Sequence, residues 1–70
     1  MEKVAAHVTG TVAKVEKRAG ERVVAGEVVV VLESMKMEML VEAVTGGTVR
    51  EVRCAEGQAV AEGDVLVIID

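Results

Sequence analysis

The chain has no aromatic residue, no proline, one cysteine and one histidine. Each shortage closes a class of fold or function. Without Phe, Tyr or Trp there is no platform on which nucleic-acid bases stack. With eight basic against twelve acidic residues there is no basic face to hold a phosphate backbone. One cysteine forms no internal disulfide, and one cysteine with one histidine supplies no structural zinc site. The lone cysteine and the absence of an export signal are what a protein of the reducing cytosol is expected to show. No apolar run approaches the roughly 20 residues of a membrane-spanning helix, so no membrane association is expected. Ser34 is the only serine, which leaves no serine-histidine-acid arrangement. Seventy residues make one domain, 1–70, that buries only a modest share of its surface. Its core has to be aliphatic, and valine dominates it.

What the chain does have is a repeat. Shifting it by 37 positions lays Met1–Glu33 on Glu38–Asp70 without a gap, and eleven of the 33 pairs are identical. Three of these pairs are turn glycines: Gly20/Gly57, Gly26/Gly63 and Gly10/Gly47. A repeat of this length is one supersecondary unit used twice. Only Ser34-Met35-Lys36-Met37 lies outside both copies.

Val, Ile and Thr between closely spaced glycines predict short strands joined by turns. The first copy is expected to form strands at Val4–His7, Gly10–Lys17, Arg22–Val24 and Val28–Glu33. The second repeats the plan at Glu38–Val44, Gly47–Cys54, Ala59–Ala61 and Val65–Asp70. Val12 and Val15, like Val49 and Val52, are three apart, which puts them on opposite faces of a regular strand; a bulge is expected in both copies. The fold class is therefore all-β. The two similar halves, 1–33 and 38–70, related by a pseudo-two-fold, are expected to cover each other's apolar faces in a flattened barrel or sandwich of about eight short strands, with the runs Val28–Leu32 and Val65–Ile69 holding its core. The connector between the halves becomes a hairpin tip away from the chain ends.

Lys36 sits on that connector. A lysine at a solvated turn is ordinarily unremarkable, but its neighbours Met35 and Met37 are apolar where turn tips carry Gly, Asn, Asp or Ser. Three of the four methionines stand at positions 35, 37 and 39. Methionine is flexible and polarisable and suits a surface read by more than one partner. A lysine at an exposed turn is open to an acylating enzyme, and its flanking Glu33 and Glu38 form only weak pairs with it there. His7 aligns with Val44 and reads as a plain strand residue. Cys54 aligns with Lys17 and is expected on an exposed face, with no group to activate its thiol.

Glu33-Ser34-Met35-Lys36-Met37-Glu38 resembles the attachment motif of biotinyl carrier domains, whose core is Met-Lys-Met. The resemblance extends over the chain through Gly10-Thr11-Val12, Gly47-Thr48-Val49, Gly20, Gly57 and Gly63-Asp64-Val65-Leu66. It is strongest to the small free-standing biotin/lipoyl attachment proteins, and an initial methionine and the lack of any linker fit a complete protein of that kind. The resemblance implies a flattened β-barrel of two four-stranded antiparallel sheets with quasi-two-fold symmetry between halves 1–33 and 38–70, and it places biotin in amide linkage on Lys36. It makes Met35, Met37, Glu33, Ser34 and Glu38 the recognition residues. A non-catalytic carrier of this type, a monomer when isolated, serves a biotin-dependent carboxylase. Its implied partners are a biotin protein ligase, a biotin carboxylase that loads the carboxyl group with ATP, and a carboxyltransferase that passes it to an acyl-CoA or a keto acid. Two departures stand out: Ala6-His7-Val8-Thr9 has no proline where the family often does, and a protruding loop found in some carriers is absent. A lipoyl carrier in acyl or aminomethyl transfer is the near alternative, disfavoured by the two methionines because lipoyl lysines typically follow Asp and precede a small residue. An unmodified β interaction module is the other.

Overall fold

A computed structural model describes all residues from Met1 to Asp70, and its only regular elements are eight strands. They are β1 Glu2–Ala5, β2 Gly10–Val15, β3 Arg22–Val23, β4 Val28–Ser34, β5 Met37–Glu42, β6 Gly47–Val52, β7 Ala59–Val60 and β8 Val65–Ile69. They form two antiparallel four-stranded sheets, in the orders β1-β8-β6-β3 and β5-β4-β2-β7. The 37-residue shift carries β1, β2, β3 and β4 onto β5, β6, β7 and β8, and so carries one sheet onto the other. Each sheet thus takes two strands from each half of the sequence. The halves interlock: each contributes one central pair, β2 with β4 or β6 with β8, and neither completes a four-stranded sheet by itself.

The first strand ends earlier than the sequence predicts. Beyond Ala5 the backbone leaves its ladder with β8 and bonds instead to the turn between β7 and β8. The Ala6 N–H donates to the Asp64 carbonyl, and the Gly63 N–H donates to the Ala6 carbonyl, both at 2.8 Å. His7 consequently lies in an exposed bend, not in a strand. The same exchange recurs at Ala43, which donates to Glu27 at 2.9 Å and accepts from Gly26 at 2.8 Å.

Both expected bulges are present. The register of β2 against β4 slips between Val12 and Lys14, and that of β6 against β8 slips between Val49 and Glu51. The extra residues, Ala13 and Arg50, let Val12 and Val15, and likewise Val49 and Val52, pack on one core. That core is wholly aliphatic and holds no polar side chain. Each fully buried Val, Leu or Ile in it contributes about 1.5–3 kcal/mol relative to exposure. Val31 and Ile68 are buried but stand apart from the central cluster. Val31 is paired with Lys14 and Leu40, and Ile68 with Lys3 and Glu51, so neighbouring side chains cover the outer faces of the two most apolar strands.

The molecule is elongated, 31 × 19 × 18 Å, and has two distinct poles. At one is the β4–β5 connection. Gly10 and its partner Val60 lie beside it, because Gly10 packs on the backbone of Glu33 and on Ser34. The other pole lies at the far end of β5, about 20 Å along its six residues. There the Glu2 carboxylate accepts the N–H groups of Val44 at 2.7 Å and Thr45 at 3.0 Å and the Thr45 hydroxyl at 2.9 Å. The Asp70 N–H donates to Thr48 at 2.9 Å. The hairpin tip and the chain ends are therefore at opposite poles, as the repeat requires.

Burial desolvates the Glu2 carboxyl and by itself would raise its pKa. The bonds from Val44 and Thr45 outweigh that and hold it below the usual carboxylate range. A lowered folded-state pKa gives stability that is present above the unfolded value and lost as pH falls through the folded one. Glu2→Gln is expected to cost about 1 kcal/mol at pH 7. The gap to the parent chain should narrow steadily below about pH 4, as urea denaturation at pH 7 and at pH 3 would measure.

Candidate functional site

The site is built by the pairing of β4 with β5. Leu32 faces Met39 and Val30 faces Val41, and all but Met39 are fully buried among these four. Slipping the register by one residue would turn this set outward, so burial fixes the pairing. The ladder continues through Glu33↔Glu38 to Ser34↔Met37. Only Met35 and Lys36 remain to reverse the chain. A two-residue hairpin matches the twist of its strands when both residues have positive φ. Met35 has φ 53° and Lys36 φ 64°, the φ pattern of a type I′ turn, and they are the only non-glycine residues of positive φ in the chain. Asn-Gly is the usual occupant of such a turn. An L side chain in this region costs about 1–2 kcal/mol, and such strain concentrates at functional positions.

The turn sets out its side chains in a definite way. Met35 is 91% exposed and Met37 62%. Lys36 is exposed, and its ammonium makes neither a hydrogen bond nor an ion pair, including with the flanking Glu33 and Glu38. Those two glutamates face each other directly across the strands and are both exposed. Like charges opposite one another repel, so the pair favours the approach of a cation. Ser34 is half-buried at the base of the tip, against Gly10. A Cβ at Gly10 would collide with the Glu33 carbonyl, so the glycine allows β2 to support the hairpin closely.

The sequence reading placed Lys36, Met35, Met37, Glu33, Ser34 and Glu38 on one tip, and the structure brings them together there. It corrects two other readings. Met39 does not join the exposed methionines; it packs against the core, on the same inward parity as Val41. Cys54 is not on an open face but half-buried against the core, and burial pushes its thiol pKa up, which makes it a poorer nucleophile. Leu40, 54% exposed on the outer face between Glu38 and Glu42, went unnoticed in the sequence. Its period-2 spacing from those two glutamates was the available signal. No three His, Cys, Asp or Glu side chains converge to hold a metal ion, and no helix is long and apolar enough to cross a membrane.

The sequence model of the biotin/lipoyl family, described as "Biotin-requiring enzyme", matches residues 1–69. A search of curated proteins finds no match. Among solved structures, the chain is similar to part of the urea carboxylase of Kluyveromyces lactis, at 33% identity and a TM-score of 0.93 over 99% of its length. It is also similar to part of a single-chain, multi-domain long-chain acyl-CoA carboxylase, at 35% identity and a TM-score of 0.87 over 94% of its length. It spans only 6% of each of those two chains. The lipoyl domain of the 2-oxoglutarate dehydrogenase complex from Azotobacter vinelandii matches at 35% identity and a TM-score of 0.75, over 90% of this chain and 80% of that one.

Strain at the tip predicts its own relief. Met35→Asn is expected to stabilise the fold by about 1 kcal/mol, because Asn tolerates positive φ. For a domain of this size that is a rise in Tm of about 4–8 °C, read by thermal denaturation. An unchanged or lower Tm would mean that Met35 makes compensating contacts.

Proposed function

Since the chain belongs to the biotin/lipoyl attachment family, we propose that it is a biotinyl carrier domain spanning 1–70, with biotin in amide linkage on Lys36. The observation that carries the reading is the isolation of one amine. Lys36 stands on a two-residue turn at one pole, its ammonium unpaired, between two exposed methionines.

The residues fit such a group. Acylation of Lys36 would break no contact of the fold, since its ammonium makes none. The amine must lose a proton before it can act as a nucleophile, and a ligase has to assist in that. The neutral Nζ then displaces AMP from a biotinyl adenylate and forms the amide. Losing one positive charge changes the net charge from −4 to −5. Biotin, when bound, supplies a ring nitrogen able to carry a carboxyl group between active sites. The protein's own part is to hold the arm out from the barrel and to be recognised. Met35 and Met37 offer the apolar contact for that recognition and Glu33 and Glu38 the acidic one, with Ser34 at their base. The partners in this reading are a biotin protein ligase, a biotin carboxylase and a carboxyltransferase, in a cytosolic acyl-CoA or keto-acid carboxylase system.

Biotin is favoured over lipoate by the Met-Lys-Met sequence, and the higher TM-scores with the two carboxylases support the same choice. The lipoyl domain of the Azotobacter complex keeps a lipoyl carrier as the second reading, since its identity to this chain is no lower. One experiment separates them. The unmodified chain is incubated with ATP and either a biotin protein ligase with biotin or a lipoate ligase with lipoate. Peptide mapping is expected to find one biotinyl group on Lys36, no label on Lys36→Arg, and at least tenfold less biotin on the double variant Met35→Asp, Met37→Ala. Lipoylation of Lys36 without biotinylation would transfer the function to acyl-transfer complexes. No label with either would leave an unmodified interaction module.

A further inference from the structure

The repeat makes the two poles comparable position by position, and one of their differences shapes the surface on the Lys36 side. The shift of 37 carries Lys17 onto Cys54, Arg22 onto Ala59 and Glu27 onto Asp64. At the pole of the chain ends, Lys17 lies along the surface with its side chain only 17% exposed. Its Nζ donates to the Glu27 carboxylate at 2.8 Å and to the Arg22 carbonyl at 3.2 Å. The other Glu27 oxygen accepts the Val24 N–H at 3.1 Å, which holds the carboxylate in place.

At the pole of Lys36 the same turn is built without the lysine. Asp64 accepts the Ala61 N–H at 2.9 Å, as Glu27 accepts that of Val24. Cys54 is too short to reach Asp64, packs against the core, and leaves the carboxylate with no cation. What remains is an open groove of about 390 Å³, whose lining includes Arg53, Gln58, Val60, Asp64, Val65 and Leu66. It lies on the Lys36 side because Val60 pairs with Gly10, which packs on Ser34.

We propose that this groove is a seat for the side chain of a lysine on a partner protein that approaches Lys36. The chain itself demonstrates the chemistry at the opposite pole. The Lys17 side chain is largely covered there, and its ammonium is shared between a turn-held carboxylate and a strand carbonyl. In the groove, Val60, Val65 and Leu66 supply the apolar lining and Asp64 the carboxylate, and the neighbouring Ala59 is the repeat counterpart of Arg22. Arg53 opposes the entry of a second cation. It is exposed and forms no ion pair, so its effect is weak and screened by salt. A single exposed ammonium–carboxylate contact is worth little, so this seat adds specificity to a larger docking surface and is not an independent high-affinity site. The seat does not depend on what Lys36 carries.

The test is an NMR titration of the full unmodified chain, labelled with 15N, at constant ionic strength. n-Butylammonium chloride serves as the lysine probe and 1-butanol as the uncharged control. Saturable shifts of the Val60, Asp64 and Leu66 amides are expected with the amine only. Asp64→Asn should weaken them at least threefold, and Cys54→Lys should abolish them, because its own ammonium fills the seat. Should Cys54→Lys not fold, Cys54→Met fills the stem channel without charge and is expected to remove the shifts as well. Equal responses to butanol and butylammonium, or amine shifts unchanged by Asp64→Asn, would overturn the proposal.

Discussion

The inward pairing of β4 with β5 constrains everything at the functional pole. Leu32, Val30 and Val41 are buried in the aliphatic core, and their register leaves two residues for the reversal. With no third residue available, the chain reverses through a primed turn, and Met35 and Lys36 both carry the positive φ of its type I′ form. The core thus forces Met35 and Lys36 into a conformation that Asn and Gly would adopt more readily. It also leaves the lysine exposed, with no hydrogen-bond or ion-pair partner for its ammonium. A core with no polar group to misplace tolerates this strain, because the same burial that fixes the register supplies the stability that offsets it.

Interlocking of the halves has a further effect. Because each sheet draws strands from both copies, neither copy can bury its apolar face without the other, and the tip is held by strands from both. Gly10 of the first half and Val60 of the second sit side by side next to Ser34. A change in either half therefore reaches the lysine turn. The duplication also supplies an internal comparison: Lys17 and Cys54 occupy one position of the repeat, and the difference between them leaves a groove at the pole where Lys36 is presented.

Much of this was legible in the sequence. The repeat, the eight strands and the paired bulges follow from glycine and valine positions that each have a local steric reason, and Lys36 was marked by falling outside both copies. Strand pairing was not legible, since a duplication is equally compatible with stacked and with interlocked halves. Local spacing also misplaced three residues. His7 left its strand because Ala6 bonds to the turn at Gly63 and Asp64, a contact between distant segments. Cys54 was judged by its counterpart Lys17, yet that lysine is itself covered along its stem. Met39 was grouped with its neighbours although alternation puts it on the core side. For His7 and Cys54 the deciding contact is tertiary and no window of sequence contains it, whereas the placement of Met39 was there to be read in the period-2 alternation of β5.

The account stands on Lys36 being the one residue that this fold exists to present. The most direct test is the intact mass of the chain isolated from its native host, with peptide mapping across Glu33–Glu38. The account predicts a mass increase of one biotinyl group, located on Lys36 and nowhere else. A chain of unmodified mass from cells with ample biotin, or a group attached at any other residue, would contradict it.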